Sequence, residues 1–461
     1  MRTNTSTPNT APNPARPIER EQGSVLVIVL WVAFGLVSMA LYFADSMTSE
    51  LRGADNRVAQ LEADQAIEGA ARYAGYLLSN LEKPGQLPEL QTYQREEVAV
   101  GDALFWFLGR GAQQGASALP VYAMTDEASK LNLNTATVEM LEALPSMTPE
   151  LAAAIIDWRD ADSDVTSGGA ESDTYLRLMP SYNCKNSKFE TVEELRLVVG
   201  TDHEILFGED QNMNGVLDEN EDDGNLSAPI DNRDGKLDAG VLEYVTVFSH
   251  ESNMRTNGAP RINLAQPGPQ MLQQLTALLR EKFSADRASA MGRQLGGAQG
   301  VFRSAIELFI RSGMTADEFS QIEGDVTTTA GQTIEGRINV NTASAQVLAC
   351  LPGVGTDKAP SMVSYRESNP DKLTSSAWVV EVLGQGGAIQ AGPYITGRSS
   401  VFSADIAAVG HHGRGYRRTR FVLDLTEGAP RVAHRQDLSH LGWALGRNVR
   451  ERMTLMAGGT R

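Results

Sequence analysis

No charged side chain stands between Glu21 and Asp45, and the stretch "GSVLVIVLWVAFGLVSMALYFA" nearly fills that gap. About 20 consecutive apolar residues suffice for a helix to cross the hydrocarbon core of a membrane. A secretory signal peptide has a shorter apolar region, roughly 7–15 residues, followed by a small-residue cleavage site. This run is too long for that pattern, and nothing of the A-x-A kind follows it. Helical spacing also continues past the run. Leu51, Val58, Leu61, Ile67, Ala70, Ala71, Ala74, Leu77 and Leu78 recur near helical intervals until Pro84-Gly85 break the pattern. The spacing predicts one helix over 24–83, apolar all round at its start and amphipathic at its end.

The 461 residues allow two or three domains, and the net charge of −18 argues against a general nucleic-acid binder. That charge is concentrated. From Asp202 to Glu243 there are thirteen acidic residues against Arg233 and Lys236, whereas from Gly410 onward ten Arg face four acidic residues. An acidic block in a chain with a basic end points to a cation site rather than a uniformly repulsive surface.

The segment "DQNMNGVLDENE", 210–221, supplies the ligand pattern for that cation. Asp210, Asn212 and Asn214 stand at loop positions 1, 3 and 5, and Gly215 makes the turn at 6. The Val216 carbonyl is at 7, Asp218 at 9 and Glu221 at 12, which is the oxygen spacing of an EF-hand calcium loop. The long flanking helices of an EF-hand are missing. Downstream, Asp231, Asp234 and Asp238 surround Gly235 with no glutamate at the twelfth position, a weaker second site. The expected ion is Ca2+, and the expected role is to staple a long loop.

Two segments align without a gap: "LNLNTATVEMLEALPSMTPELAAAIIDWR", 131–159, and "INVNTASAQVLACLPGVGTDKAPSMVSYR", 338–366. Asn132/Asn339, Asn134/Asn341, Thr135/Thr342, Leu144/Leu351, Pro145/Pro352 and Arg159/Arg366 are among the identical pairs. Each reads as an N-capped helix, a tight turn and a second helix: a helix-hairpin-helix. Only the second copy has the Gly353-Val354-Gly355 turn that presents backbone N–H groups to a phosphate in nucleic-acid binders. Its charges balance, with Arg337, Lys358, Arg366 and Lys372 against Asp357, Glu367, Asp371 and Glu381. Packing modules in a helical domain are the better reading, with no nucleic-acid partner.

Alternating patterns at 96–130 and 399–428 predict β-strands on either side of the helical stretch. Residues after Gly428 look poorly specified, "GHHGRG" at 410–415 reads as a hairpin turn, and Cys184 and Cys350 read as buried small residues, with a disulfide as the alternative for a body outside the cytoplasm. No activated nucleophile, acid–base carboxylate pair or phosphate loop is found. The chain reads as a protein that is not an enzyme.

A polar leader ending at Gly23 before an apolar helix resembles the type IV pilin-like proteins. In that family a prepilin peptidase cuts after the glycine, here between Gly23 and Ser24. Arg16 and Arg20 would then stay cytoplasmic. Pilins usually carry glutamate at the fifth mature position, which here is Ile28. The glutamate-free start "GSVLVIVLWV", the duplicated hairpins and the acidic loop together resemble the minor pseudopilin K family of type II secretion.

That resemblance implies an α+β, type IV pilin-like fold. A long helix packs on a small antiparallel sheet, into which a large helical domain is inserted. The expected divisions are a leader over 1–23, the helix over 24–83, sheet segments at 84–129 and 391–430, and the insert over 130–390. The acidic loop lies at 205–243 and a tail at 431–461. The resemblance further implies a single-pass protein of the bacterial inner membrane with its body in the periplasm. It would be N-methylated at Ser24 and would join the I and J minor pseudopilins at the pseudopilus tip to help export folded proteins. The alternative is a membrane-anchored helix-hairpin-helix DNA receptor for competence, which a basic surface would favour.

Overall fold

The computed structural model describes residues 22–110, 120–296 and 301–458. The leader up to Glu21 lies outside them. Two compact units divide the chain, 1–58 and 59–461. A helix assigned over Gln22–Ser79 contributes to both. In the first unit it leaves Leu26, Trp31, Leu36 and Leu41 exposed, and it is long and apolar enough to cross a membrane.

In the second unit the end of that helix covers one face of an antiparallel sheet. The sheet runs in the order Val98–Val100, Ala103–Leu108, Val401–Val409, Arg417–Asp424 and Arg431–Asp437, with Thr125–Asp126 also pairing to the central strand. Side-chain alternation explains its two faces. Phe105, Phe107, Ile406, Ala408 and Phe421 pack against Ala63, Ala66, Ile67, Ala70 and Ala74. Trp106, Leu108, Ala407 and Val409 pack on the other side against Leu445, Val449 and Met453. The alanine face lets backbones come close. Gly410 abuts the Ala59 carbonyl so tightly that a Cβ there would collide with it.

Residues 431–458 correct the expectation of a poorly specified tail. They supply the edge strand Arg431–Asp437 and the helix Gly446–Gly458, which closes the second face. The strand was missed because its side chains are mostly exposed, so no apolar alternation marks it.

Between the sheet segments, residues 131–395 form a separate hydrophobic core. Both hairpins fold as read: Val138–Glu142 with Pro149–Arg159, and Ala345–Ala349 with Gly355–Ser368. Thr137, Thr148 and Ser344 cap three of these helices. Arg159 donates to the Leu133 and Ala136 carbonyls, and Arg366 repeats this to Val340 and Ala343.

The structure adds a third copy of the entry strand. Leu131–Asn132 pairs in parallel with Val245–Thr246, Ile338–Asn339 with Ile395–Thr396, and Ile262–Asn263 with Val326–Thr327. In each, the Asn side chain accepts the amide two residues on: Asn134, Asn341 and Ala265. In the third copy, "INLAQPGP" replaces the Asn-Thr-Ala that marks the others, which hides it from alignment.

Cys184 and Cys350 are both free and buried, and burial pushes their thiols up to about 11 and about 12.

Candidate metal centre

Short helix His203–Phe207 ends at Gly208, and the acidic loop follows. Asp210 at position 1 turns inward and accepts the amides of Asn214 and Gly215, both at 2.9 Å. Gly215 takes φ of +72°, the left-handed turn that a residue with a Cβ resists. Asn214 Oδ1 accepts the Val216 amide at 2.7 Å. Glu221 reaches back with both oxygens, to the Gln211 amide at 3.1 Å and the Asp218 amide at 3.0 Å. Asn212 Nδ2 donates to Asp218 Oδ2 at 2.7 Å, and Asn212 Oδ1 is buried with no hydrogen-bond partner.

Asp210, Asn214 and Glu221 are almost fully buried. Burial pushes the Asp210 and Asp218 carboxyls up. Burial first, then the charges of Asp210 and Asp218, lift Glu221 to about 8. A hard divalent cation supplies the charge that such a group of oxygens otherwise lacks, and an orphaned amide oxygen suits it as a further donor. The residues of 210–221 therefore fit a calcium-type ion.

The second segment repeats this geometry in a shifted register. Asn232 Nδ2 donates to Asp238 Oδ2 at 2.9 Å, as Asn212 does to Asp218. Asp234 Oδ1 accepts the Lys236 amide at 2.8 Å, as Asn214 does from Val216. Gly235 has φ of +71° against +72° at Gly215, and Leu237 and Leu217 are both buried. Asp234 and Asp238 thus take positions 5 and 9.

Asp231 does not join them. Its carboxylate accepts the amides of Gly224 and Arg233 instead. The closing glutamate comes from upstream. Glu209 accepts the Asn232 amide at 3.3 Å and the Asp238 amide at 2.9 Å, the latter matching the Glu221 bond to Asp218. Sequence reasoning missed Glu209 because it precedes its loop. Burial raises its carboxyl too.

The first loop is locked to the sheet. Arg418, fully buried, pairs with Asp405 and donates to the Asn212 and Met213 carbonyls. Arg110 donates to the same Met213 carbonyl at 2.8 Å and pairs with Glu243 at 2.6 Å. Asn212 Nδ2 also donates to the Trp443 carbonyl at 3.2 Å. Loop, sheet and C-terminal segment thus meet at one place.

The hairpin turn with a phosphate-binding sequence is used for packing. Gly353 lies against the Gly387 carbonyl and Gln390 in helix Val379–Ala391, with no room for a Cβ.

Residues 111–207 match the family model described as type II secretion system (T2SS), protein K, and residues 334–375 match the helix-hairpin-helix motif model. A type II secretion system protein K from Klebsiella pneumoniae is 26% identical over 192 residues, 40% of this chain and 59% of the relative. One from Pectobacterium carotovorum subsp. carotovorum is 23% identical over 202 residues, 40% of this chain and 60% of the relative. The chain thus spans about three fifths of the length of the curated relatives it matches. Among solved structures, the crystal structure of the GspK-GspI-GspJ complex from the enterotoxigenic Escherichia coli type 2 secretion system is similar at 13% identity. It covers 82% of this chain and 96% of that one, with a TM-score of 0.34.

Proposed function

We propose that this chain, a relative of type II secretion system protein K, works as a minor pseudopilin that assembles at the tip of a periplasmic pseudopilus and supports export of folded proteins. The observation that carries the reading is the protein K match over 111–207, which covers the first hairpin and ends where the acidic loop begins. The apolar helix supports a single-pass inner-membrane anchor, processed between Gly23 and Ser24 by a prepilin peptidase and methylated there. Partners are I- and J-type minor pseudopilins, and the role is assembly, with no catalysis of its own. The balanced charge of the second hairpin, Arg337, Lys358, Arg366 and Lys372 against Asp357, Glu367, Asp371 and Glu381, speaks against the DNA-receptor reading.

The two acidic loops bind Ca2+ in this proposal. Asp210, Asn212, Asn214, the Val216 carbonyl, Asp218 and Glu221 hold one ion, and Asn232, Asp234, Asp238 and Glu209 hold a second. The ions fix the loop that joins the hairpin body to the sheet through Arg418.

The test is deletion of the gene in its host, with export of a secreted enzyme as the readout. Secretion should fail and return with the intact gene. Unaltered secretion in the deletion strain overturns the assignment. Mass spectrometry of the mature chain should show Ser24 as the N-terminus only when the peptidase is present.

A further inference from the structure

The twelve residues after helix Pro149–Arg159 read "DADSDVTSGGAE", from Asp160 to Glu171, and lead into the short helix Ser172–Tyr175. Asp160, Asp162 and Asp164 fall at positions 1, 3 and 5 of this loop, and Glu171 falls at 12. That is a calcium-loop spacing between two helices. Position 6 is Val165 rather than glycine, which lowers the resemblance as a motif.

The geometry is independent of the motif. The ligand oxygens of Asp160, Asp162 and Glu171 all lie within 4.8 Å of one another. Glu171 is 4% exposed. Its Oε2 accepts the Ser172 amide at 3.3 Å, while Oε1 is buried without a hydrogen-bond partner. Asp160 Oδ1 is buried and unpartnered as well. Asn186 lies beside them: its side chain hydrogen-bonds Glu171, and its Nδ2 donates to the Asp162 carbonyl. Two unsatisfied carboxylate oxygens in one cluster are costly unless a donor or cation meets them.

Within the protein, Asn186 hydrogen-bonds Glu171 and the charge of Arg159 acts on Asp160, which meets that need only in part. Arg159 is held by the Leu133 and Ala136 carbonyls, and Lys185 pairs with Glu194 at 2.7 Å. Asp157, the remaining nearby carboxylate, is taken by the Thr166 amide. Gly169 stands where any Cβ would strike that carboxylate, so the loop closes tightly over the site.

We propose that Asp160, Asp162 and Glu171 form a further divalent-cation site, separate from the loops at 209–238. The donor set is all oxygen, with three carboxylates, which favours calcium over a softer metal. A bound ion would tie the end of the first hairpin to the start of helix Ser172–Tyr175.

The intact chain in detergent, stripped with EGTA and then dialysed against calcium, gives the count of bound ions for wild type, Asp162→Ala and Glu171→Gln. Asp162 is exposed, so its replacement leaves folding aside. Each variant should bind one equivalent fewer, and calcium should slow hydrogen exchange of wild-type amides over 160–171. An unchanged count in Asp162→Ala, or amides at 160–171 that do not respond to calcium, overturns the site. Protection by magnesium alone overturns the choice of ion.

Discussion

Arg418 and Asp405 face each other across the two central strands, with Arg418 Nε 2.9 Å from Oδ1 and Nη2 2.7 Å from Oδ2, and both residues are buried. Arg418 has further hydrogen bonds, which reach the Asn212 and Met213 carbonyls of the acidic loop. Removing one member of a buried pair costs up to about 3–5 kcal/mol, and Arg420, 3.5 Å from Asp405, offsets part of that here. Arg418→Met should lower stability by less than that full amount and loosen the loop. Denaturant unfolding with hydrogen exchange over 209–221 checks both. A stable variant with an unchanged loop would show that the sheet holds the loop by other contacts.

The same pair sets an acid dependence. Although burial alone would raise it, Arg418, followed by Arg420 and Arg110, brings the Asp405 carboxyl down to about 2. The unfolded chain has the ordinary aspartate value, about 3.9. A depressed folded value means that the pair's stabilisation is present above about pH 4 and lost as pH falls toward 2, on the order of 2 kcal/mol. Asp405→Asn should flatten that part of the stability profile while lowering stability at neutral pH. A profile that stays equally steep below pH 4 would assign the acid loss to other carboxylates.

Chelation should destabilise the body. A ligand that binds only the folded state adds about 2.7 kcal/mol at a hundred times its Kd. EGTA should therefore lower the melting temperature, and excess calcium should restore it. Glu209→Gln should remove one bound equivalent and leave the loop at 210–221 loaded, whereas Glu221→Gln should remove the other. Loss of two equivalents from either variant would mean that the loops fill as one unit.

Much of this architecture could be read from spacing, and what could not has definite physical causes. The apolar run, the hairpins and the loop at 210–221 are local patterns, written in adjacent residues. Glu209 is not local to the loop it closes: it lies 29 residues before Asp238, the position it holds. The edge strand Arg431–Asp437 carries Arg, His and Gln in place of a buried stripe. It is held by pairing with Arg417–Asp424, which sequence alternation does not reveal. The third entry strand keeps the Asn263 bond to the Ala265 amide, and its partner strand keeps the Thr327 bond to the Thr329 amide, but the Asn-Thr-Ala that marks the other copies is gone.

That last difference makes the three copies separable. Asn339 is 2% exposed and donates from Nδ2 to Asp126 Oδ2 at 2.7 Å, where Thr342 also donates at 2.7 Å. Asp126 belongs to the strand that pairs with Phe402, so Asn339 ties the second hairpin to the sheet. Burial raises the Asp126 carboxyl, and the bonds from the Ser399, Thr342 and Asn339 side chains oppose that rise. Removing the amide from such a site leaves a buried acceptor short of a donor, at about 1–3 kcal/mol. Asn263, only partly buried, loses a single local cap when replaced, closer to about 1 kcal/mol. Asn339→Ala should therefore be clearly more destabilising than Asn263→Ala in paired unfolding curves. Equal losses would mean that the hairpin body is held to the sheet elsewhere, and that the Asn339–Asp126 contact adds little.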